Sequence, residues 1–205
     1  MAGTRADAQR NREKILEVAR VVVREQGTQA SLRDIARRAE VGLGTLYRHF
    51  PTREALLETL MRRRFDHLAG RAASLDQGGD PLAALTTWLV EFAHGAGTYR
   101  GLPESIMATL ADASSPLHAS CESMRASAGQ LLAAAQEAGR IRSDLTNIEL
   151  FALVNAVGWI AEQAPSMDAR RERLITLLME GLVSSSASAS SSASGGARSP
   201  SASAS

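Results

Sequence analysis

Apolar residues recur at steps of three and four along most of the chain, and each run predicts a helix. Ile15, Val18, Ala19 and Val22 share one face of a first helix ending near Gln26, after a polar and frayed stretch from Met1 to about Ala8. Gly27 stands where a helix closes on a left-handed residue. Leu32, Ile35, Ala36 and Ala39 mark a second, short helix, with Ser31 as N-cap and Asp34 in its first turn. Val41-Gly42-Leu43-Gly44 then breaks the pattern, and its glycines predict the backbone freedom of a sharp turn. Thr45 to Phe50 resumes it, with Leu46 and Phe50 facing inward. Thr45, Arg48 and His49 face outward and Tyr47 sits at the edge, until Pro51 ends the unit.

Thr52 caps a long fourth helix with Glu54 in its first turn. Leu57, Leu60, Met61 and Leu68 carry it through Arg62-Arg63-Arg64 to about Leu75, the length of a connector between domains. After a loop from Asp76, Asp80-Pro81 opens a fifth helix to about His94, with Leu85, Trp88, Leu89 and Phe92 at helical spacing. A break from Gly95 to Leu102 precedes a shorter helix that Pro103 opens, carrying Ile106, Met107 and Leu110. Ser115-Pro116 starts a seventh helix with the stripe Leu117, Cys121, Met124, Ala128, Leu131 and Ala135, closed by Gly139. Thr146 to Glu149 is a capping box opening an eighth helix, which shows Leu150, Leu153, Val154, Val157 and Ile160 and stops at Pro165. Ser166 caps a ninth, with Leu174, Ile175, Leu178 and Leu182. From Ser184 the chain is mostly serine and alanine with a little glycine, one charge at Arg198 and no aromatic residue, too poor in apolar groups to bury a core, so disorder is expected. No strand pattern appears. The fold class expected is all-α, divided into a helix-turn-helix domain (1–52), a helical domain (53–183) and a disordered tail (184–205).

Charge changes this picture more than composition does. Net charge is only +1 over 205 residues, but up to Arg64 there are 14 basic against 8 acidic residues, and beyond it 9 against 14. A basic N-terminal third on an acidic remainder is the asymmetry expected when one part meets phosphate. Cys121 is the only cysteine, which excludes an internal disulfide and fits a reducing cytoplasm. The most apolar run, Phe151 to Ala161, is too short to span a membrane, and the N-terminus lacks an apolar signal core. His118 and Cys121 lie three apart, but a structural zinc site wants four ligands and no matching pair exists, so no metal is expected. There is no nucleophile elbow, glycine-rich phosphate loop or His-Glu-x-x-His, which argues against an enzyme and against a cofactor.

A short helix presenting hydroxyls, an arginine and a tyrosine suits a major groove, where phosphate contacts position and base-edge contacts specify. Ile15, Ala19, Gly27, Ile35-Ala36, Val41-Gly42, Gly44-Thr45-Leu46-Tyr47-Arg48-His49-Phe50 and Arg53-Glu54-Ala55-Leu56-Leu57 together resemble the DNA-binding domain of the TetR family of bacterial transcriptional regulators. The resemblance covers about Arg12 to Leu60, and its one departure is Arg53, where the family usually has lysine. It implies that Ser31, Thr45, Tyr47, His49 and Arg53 meet phosphates, and that Arg33, Leu43, Gly44 and Arg48 lie near base edges. It also implies a C-terminal ligand-binding and dimerisation domain, whose last two long helices pair with a second subunit. Leu150, Val154, Val157, Gly158, Leu174 and Leu178 are the expected interface. Trp88, Phe92, Met107, Cys121, Met124, Phe151 and Trp159 are expected to line a pocket for a small apolar or amphipathic ligand, since such sites are mostly apolar. The function implied is a cytoplasmic homodimeric repressor that binds palindromic double-stranded operator DNA and is released by the ligand. An activator or ligand-independent regulator is the alternative, and a small helical enzyme or carrier the rival from another class.

Overall fold

The computed structural model describes residues 2–77, 79–96, 102–163 and 165–183. The helices are α1 (Ala2–Gln26), α2 (Leu32–Arg38), α3 (Leu43–His49), α4 (Arg53–Leu75), α5 (Pro81–Ala96), α6 (Glu104–Ala111), α7 (Pro116–Glu137), α8 (Asn147–Gln163), α9 (Pro165–Asp168) and α10 (Arg171–Leu182). Among the described residues there is no strand; Ile141 and Val183 form one isolated antiparallel bridge. None of these helices is long and apolar enough to cross a membrane.

The boundaries follow local chemistry. Ser31, Thr52 and Ser115 each accept a hydrogen bond from the amide three residues on, satisfying one of the orphan donors of a helix start. Thr146 and Glu149 complete the reciprocal capping box: Oε2 of Glu149 accepts from the Thr146 amide at 2.8 Å, and Oγ1 of Thr146 from the Glu149 amide at 3.3 Å. Gly27 (φ 75°) and Gly139 (φ 65°) close α1 and α7 in the left-handed conformation.

Two expectations need correction. The stretch expected to be frayed as far as about Ala8 is helical from Ala2 onward. The last helix is two: α9 ends at Asp168 and α10 starts at Arg171. A turn closed by the Arg170 amide on the Met167 carbonyl separates them. Across it Arg171, itself buried, donates to Asp168 at 2.5 Å and meets Nδ1 of His94 at 3.3 Å. The expected disordered tail and most of the expected break after Gly95 lie outside the described residues.

Two hydrophobic clusters share α4 as their spine. The first gathers Ile15, Ala19 and Val22 of α1, Ile35 of α2, Leu46 of α3 and Leu56, Leu57, Leu60 and Met61 of α4, and it also takes in Ile106 of α6 and Leu117 of α7. The second contains Leu68 and Ala72 of α4 with apolar residues of α5, α7, α8 and α10. Phe65 packs against both, so the packing changes over in the middle of α4. At the centre of the second cluster Trp88 stacks on Phe92 at 5.4 Å, and Phe151 meets both rings edge-on at 5.9 and 5.0 Å. The indole N–H of Trp88 donates to the Leu68 carbonyl at 2.8 Å, which pins α5 to the connector helix.

Candidate nucleic-acid interface

The α2–α3 unit is held from inside by residues with almost no exposure: Ile35, Ala36, Ala39, Leu46 and Phe50, against Ile15, Ala19 and Val22 of α1. Arg12 lies over the Phe50 ring, 5.4 Å from its centroid, and covers that edge of the core. The turn itself differs from expectation. Gly42 caps α3 with an ordinary φ of −63°, and Gly44 lies within α3. The left-handed residue is Glu40, at φ 52°. Its carboxylate is bound by Lys14 of α1 at 2.6 Å, an ion pair that lowers the Glu40 pKa and ties the turn to the first helix.

Asp34 is the electrostatic hub of α2. It accepts from Arg37 at 2.5 Å, from Nε of Arg38 at 3.0 Å and from Gln26 at 3.1 Å. The Arg37 hydrogen bond is the largest cause holding its carboxyl below the usual aspartate range. Arg38 also reaches Glu25 of α1 at 2.7 Å. Arg38 therefore ties α2 to α1, while the Arg37 pair lies within α2.

The outward face is different. Arg33, Gly44, Tyr47 and Arg48 are exposed, Tyr47 at 46%, and Leu43, Thr45 and His49 are half-buried along its edge. Among the described residues no hydrogen bond or ion pair engages the side chain of Arg33 or Arg48. Gly44 has nothing within 4 Å of where a Cβ would stand, so no contact inside the chain requires a glycine there. A glycine inside a helix costs about 0.5–1 kcal/mol relative to alanine, and its usual return is close approach of the backbone to something else.

Arg53 sits at the start of α4, where a cation opposes the helix dipole. Its Nη1 donates to Oε1 of Gln29 at 2.9 Å, while its Nε is buried without a partner among the described residues. Burying an unpartnered donor costs folding energy, and the Gln29 contact ties the guanidinium to the link between α1 and α2. Helical periodicity missed Gln29 as the partner of Arg53, because it lies in the link between α1 and α2.

The other expected sites fare unevenly. Trp88, Phe92, Met124 and Phe151 are buried in the second cluster with Cys121 half-buried at its side, where burial pushes the thiol pKa up. Met107 and Trp159, expected with them, stand at the surface, 51% and 58% exposed. Leu150 and Val154 face the chain's own core instead of a free surface. The apolar side chains that α8 and α10 leave outside are Ile148, Leu153, Trp159, Ile160 and Leu177. Val157, Leu174 and Leu178 lie half-buried between the two faces, and Gly158 is buried.

A basic, all-helical unit that lays an uncommitted polar helix outward on a rigid three-helix support defines the helix-turn-helix class of DNA-binding proteins. Comparison with known proteins narrows the class. Residues 15–60 match the model of bacterial regulatory proteins of the tetR family, and residues 80–184 that of the SbtR-like transcriptional regulator C-terminal domain. The solved TetR transcriptional regulator SCO0520 of Streptomyces coelicolor is 33% identical, over 85% of this chain and 99% of that one, with a TM-score of 0.67. A TetR transcription regulatory protein of Mycobacterium vanbaalenii is 30% identical over 88% and 99% of the two chains, with a TM-score of 0.59. The chain belongs to the TetR family of transcriptional regulators, which are not enzymes. Among curated relatives, the transcriptional repressor KstR of Mycolicibacterium smegmatis is 37% identical over 84 residues, 39% of this chain and 41% of that protein. KstR2 of the same organism is 36% identical over 77 residues, 37% and 38% of the two lengths. These curated matches thus span about two-fifths of the relatives they match.

Proposed function

We propose that this chain is a homodimeric repressor that binds a palindromic operator and is released by a small molecule. The observation that carries the reading is the outward face of α3, where Gly44, Tyr47 and Arg48 have no structural task of their own. Arg33 and Arg48 would fork onto base edges, with Leu43 against a thymine methyl and Gly44 admitting the groove wall. Ser31, Thr45, Tyr47, His49 and Arg53 would hold phosphates and fix the register. The names of KstR and KstR2 as repressors favour repression over activation. The site of action is the cytoplasm, where bacterial operator DNA lies.

The dimer would form through α8 and α10. Leu153, Ile160 and Leu177 offer the exposed apolar surface, with Trp159 beside them and Val157, Leu174 and Leu178 at the edge. Two such pairs of helices close an isologous four-helix bundle. Two recognition helices then fall about 34–36 Å apart, one turn of DNA. The releasing ligand would be apolar or amphipathic and act on the helical C-terminal domain. Trp88, Phe92 and Phe151 already pack ring to ring, so a ligand beside Met124 and Cys121 has to part them.

The test is selection of bound fragments from a bacterial genomic DNA library, followed by sedimentation of the complex. A palindromic site bound by two chains supports the reading; sequence-independent binding, or binding by a single chain, overturns it.

A further inference from the structure

We propose that the cleft between α1, α4 and α5 is a binding site for a small organic oxyanion, a carboxylate or phosphate carried on a short apolar body. The proposal goes beyond the operator-binding reading and does not need the aromatic cluster to open. The cleft encloses about 460 Å³, within the 300–1,000 Å³ typical of small-molecule sites. Its floor is apolar, from Leu16 of α1 and Leu60 of α4, both buried. Its walls are basic: Arg20 and Arg24 from α1, and Arg63 and Arg64 from α4, against the carboxylates of Glu17 and Glu91. Glu91 is already bound by His67 at 2.8 Å and Arg71 at 3.1 Å, and so presents little free negative charge. Among the described residues Arg20 makes only an exposed 3.5 Å pair with Glu17. Among the described residues nothing engages the Arg24 side chain.

The back of the cleft is built, not incidental. Nη2 of Arg64 donates to the carbonyls of Glu91 at 3.1 Å and Phe92 at 3.0 Å, lying across the last turn of α5. It can do so only because residue 95 is glycine: a Cβ there would fall 2.0 Å from the guanidinium carbon. Arg64 is thereby held rigid with its charge beside the cavity, at a helix end that favours a cation. Arg63 is fixed equally firmly by two hydrogen bonds to Glu13. An oxyanion entering between these guanidiniums and Arg24 meets, on Arg63 and Arg64, the N–H groups that the Glu13 and α5 contacts leave over, on side chains already ordered in the free protein. Its apolar body would rest on Leu16 and Leu60.

The position has a regulatory consequence. Leu16 and Leu60 belong to the first hydrophobic cluster, whereas α5 belongs to the second. A ligand that bridges α1 and α5 therefore fixes the tilt of the DNA-binding unit on the C-terminal domain. Saturation should change operator affinity about fivefold or more, the lower end of ordinary allosteric coupling.

Calorimetry on the full chain with benzoate, phenyl phosphate and the neutral analogue benzamide tests the site. Benzoate or phenyl phosphate should bind at least tenfold more tightly than benzamide, and which of them wins identifies the oxyanion. The double variant Arg20→Gln/Arg24→Gln should lose about tenfold in anion affinity while keeping its circular dichroism and its operator affinity without ligand. Benzamide binding as tightly as the anions, no binding of any probe at millimolar concentration, or full affinity in the variant overturns the site. Operator affinity unmoved by bound anion overturns the regulatory consequence. Loss of operator binding in the unliganded wild type would count against the operator reading alone, because the calorimetry contains no DNA.

Discussion

Arg63 of α4 grips Glu13 of α1 with two parallel hydrogen bonds, of 2.5 and 2.7 Å, across 50 residues of sequence. This fork joins the helix that supports the DNA-binding unit to the helix that runs into the C-terminal domain. The hydrogen bond from Arg63 is the largest cause that holds the Glu13 carboxyl below its ordinary 4.5. A carboxylate with a depressed pKa stabilises the fold above that ordinary value, and the contribution is lost as pH falls through the folded value. Both side chains are about two-fifths exposed, so solvent screening limits the pair to roughly 0.5–1 kcal/mol. Glu13→Gln should lower the melting temperature slightly at neutral pH and flatten its fall below pH 4.5. Thermal melts from pH 7 to pH 3 check this, and identical acid profiles would refute it.

Gly44 separates stability from function. Its Cβ position is open space within a regular helix, so Gly44→Ala should raise stability by about 0.5–1 kcal/mol. The same methyl group should obstruct the groove and weaken operator binding. Paired melting curves and fluorescence anisotropy decide it; a stabilised variant with unchanged operator affinity removes Gly44 from the interface.

Arg53 and Arg48 should fail differently. Arg53→Ala removes a phosphate contact and should weaken binding to every sequence, reducing the slope of log affinity against log salt by about one. Arg48→Ala should relax preference at one base pair, by about 1–3 kcal/mol. Salt titrations on the operator and on single-base variants distinguish the two. An unchanged slope for Arg53→Ala would assign that residue to the Gln29 contact alone.

The two faces of α8 give opposite mutants. Leu153 is exposed and Val154, its neighbour, is fully buried. Leu153→Glu should yield a folded monomer without operator binding, whereas Val154→Asp should unfold the C-terminal domain because it buries an unpaired charge. Sedimentation and circular dichroism read both outcomes. A dimeric Leu153→Glu would move the interface off this face.

Much of this molecule is written locally. Ser31, Thr52, Ser115 and Thr146 mark helix starts because a cap acts within three residues, and Gly27 and Gly139 mark ends for the same reason. The inward and outward faces of α3 were legible because a short amphipathic helix has only one apolar side to bury. What tertiary structure alone decided is whatever local spacing leaves degenerate. Helix α8 is apolar on more than one side, and burial is non-directional, so only packing against α5 and α10 placed Leu150 and Val154 inside and left Leu153, Trp159 and Ile160 outside. The sharp turn before α3 falls on Glu40 and not on a glycine, held there by Lys14 from another helix. The fork of Arg63 on Glu13 and the lie of Arg64 across Gly95 join positions 50 and 31 residues apart. No period within one helix encodes such pairs; they exist only once the helices have packed.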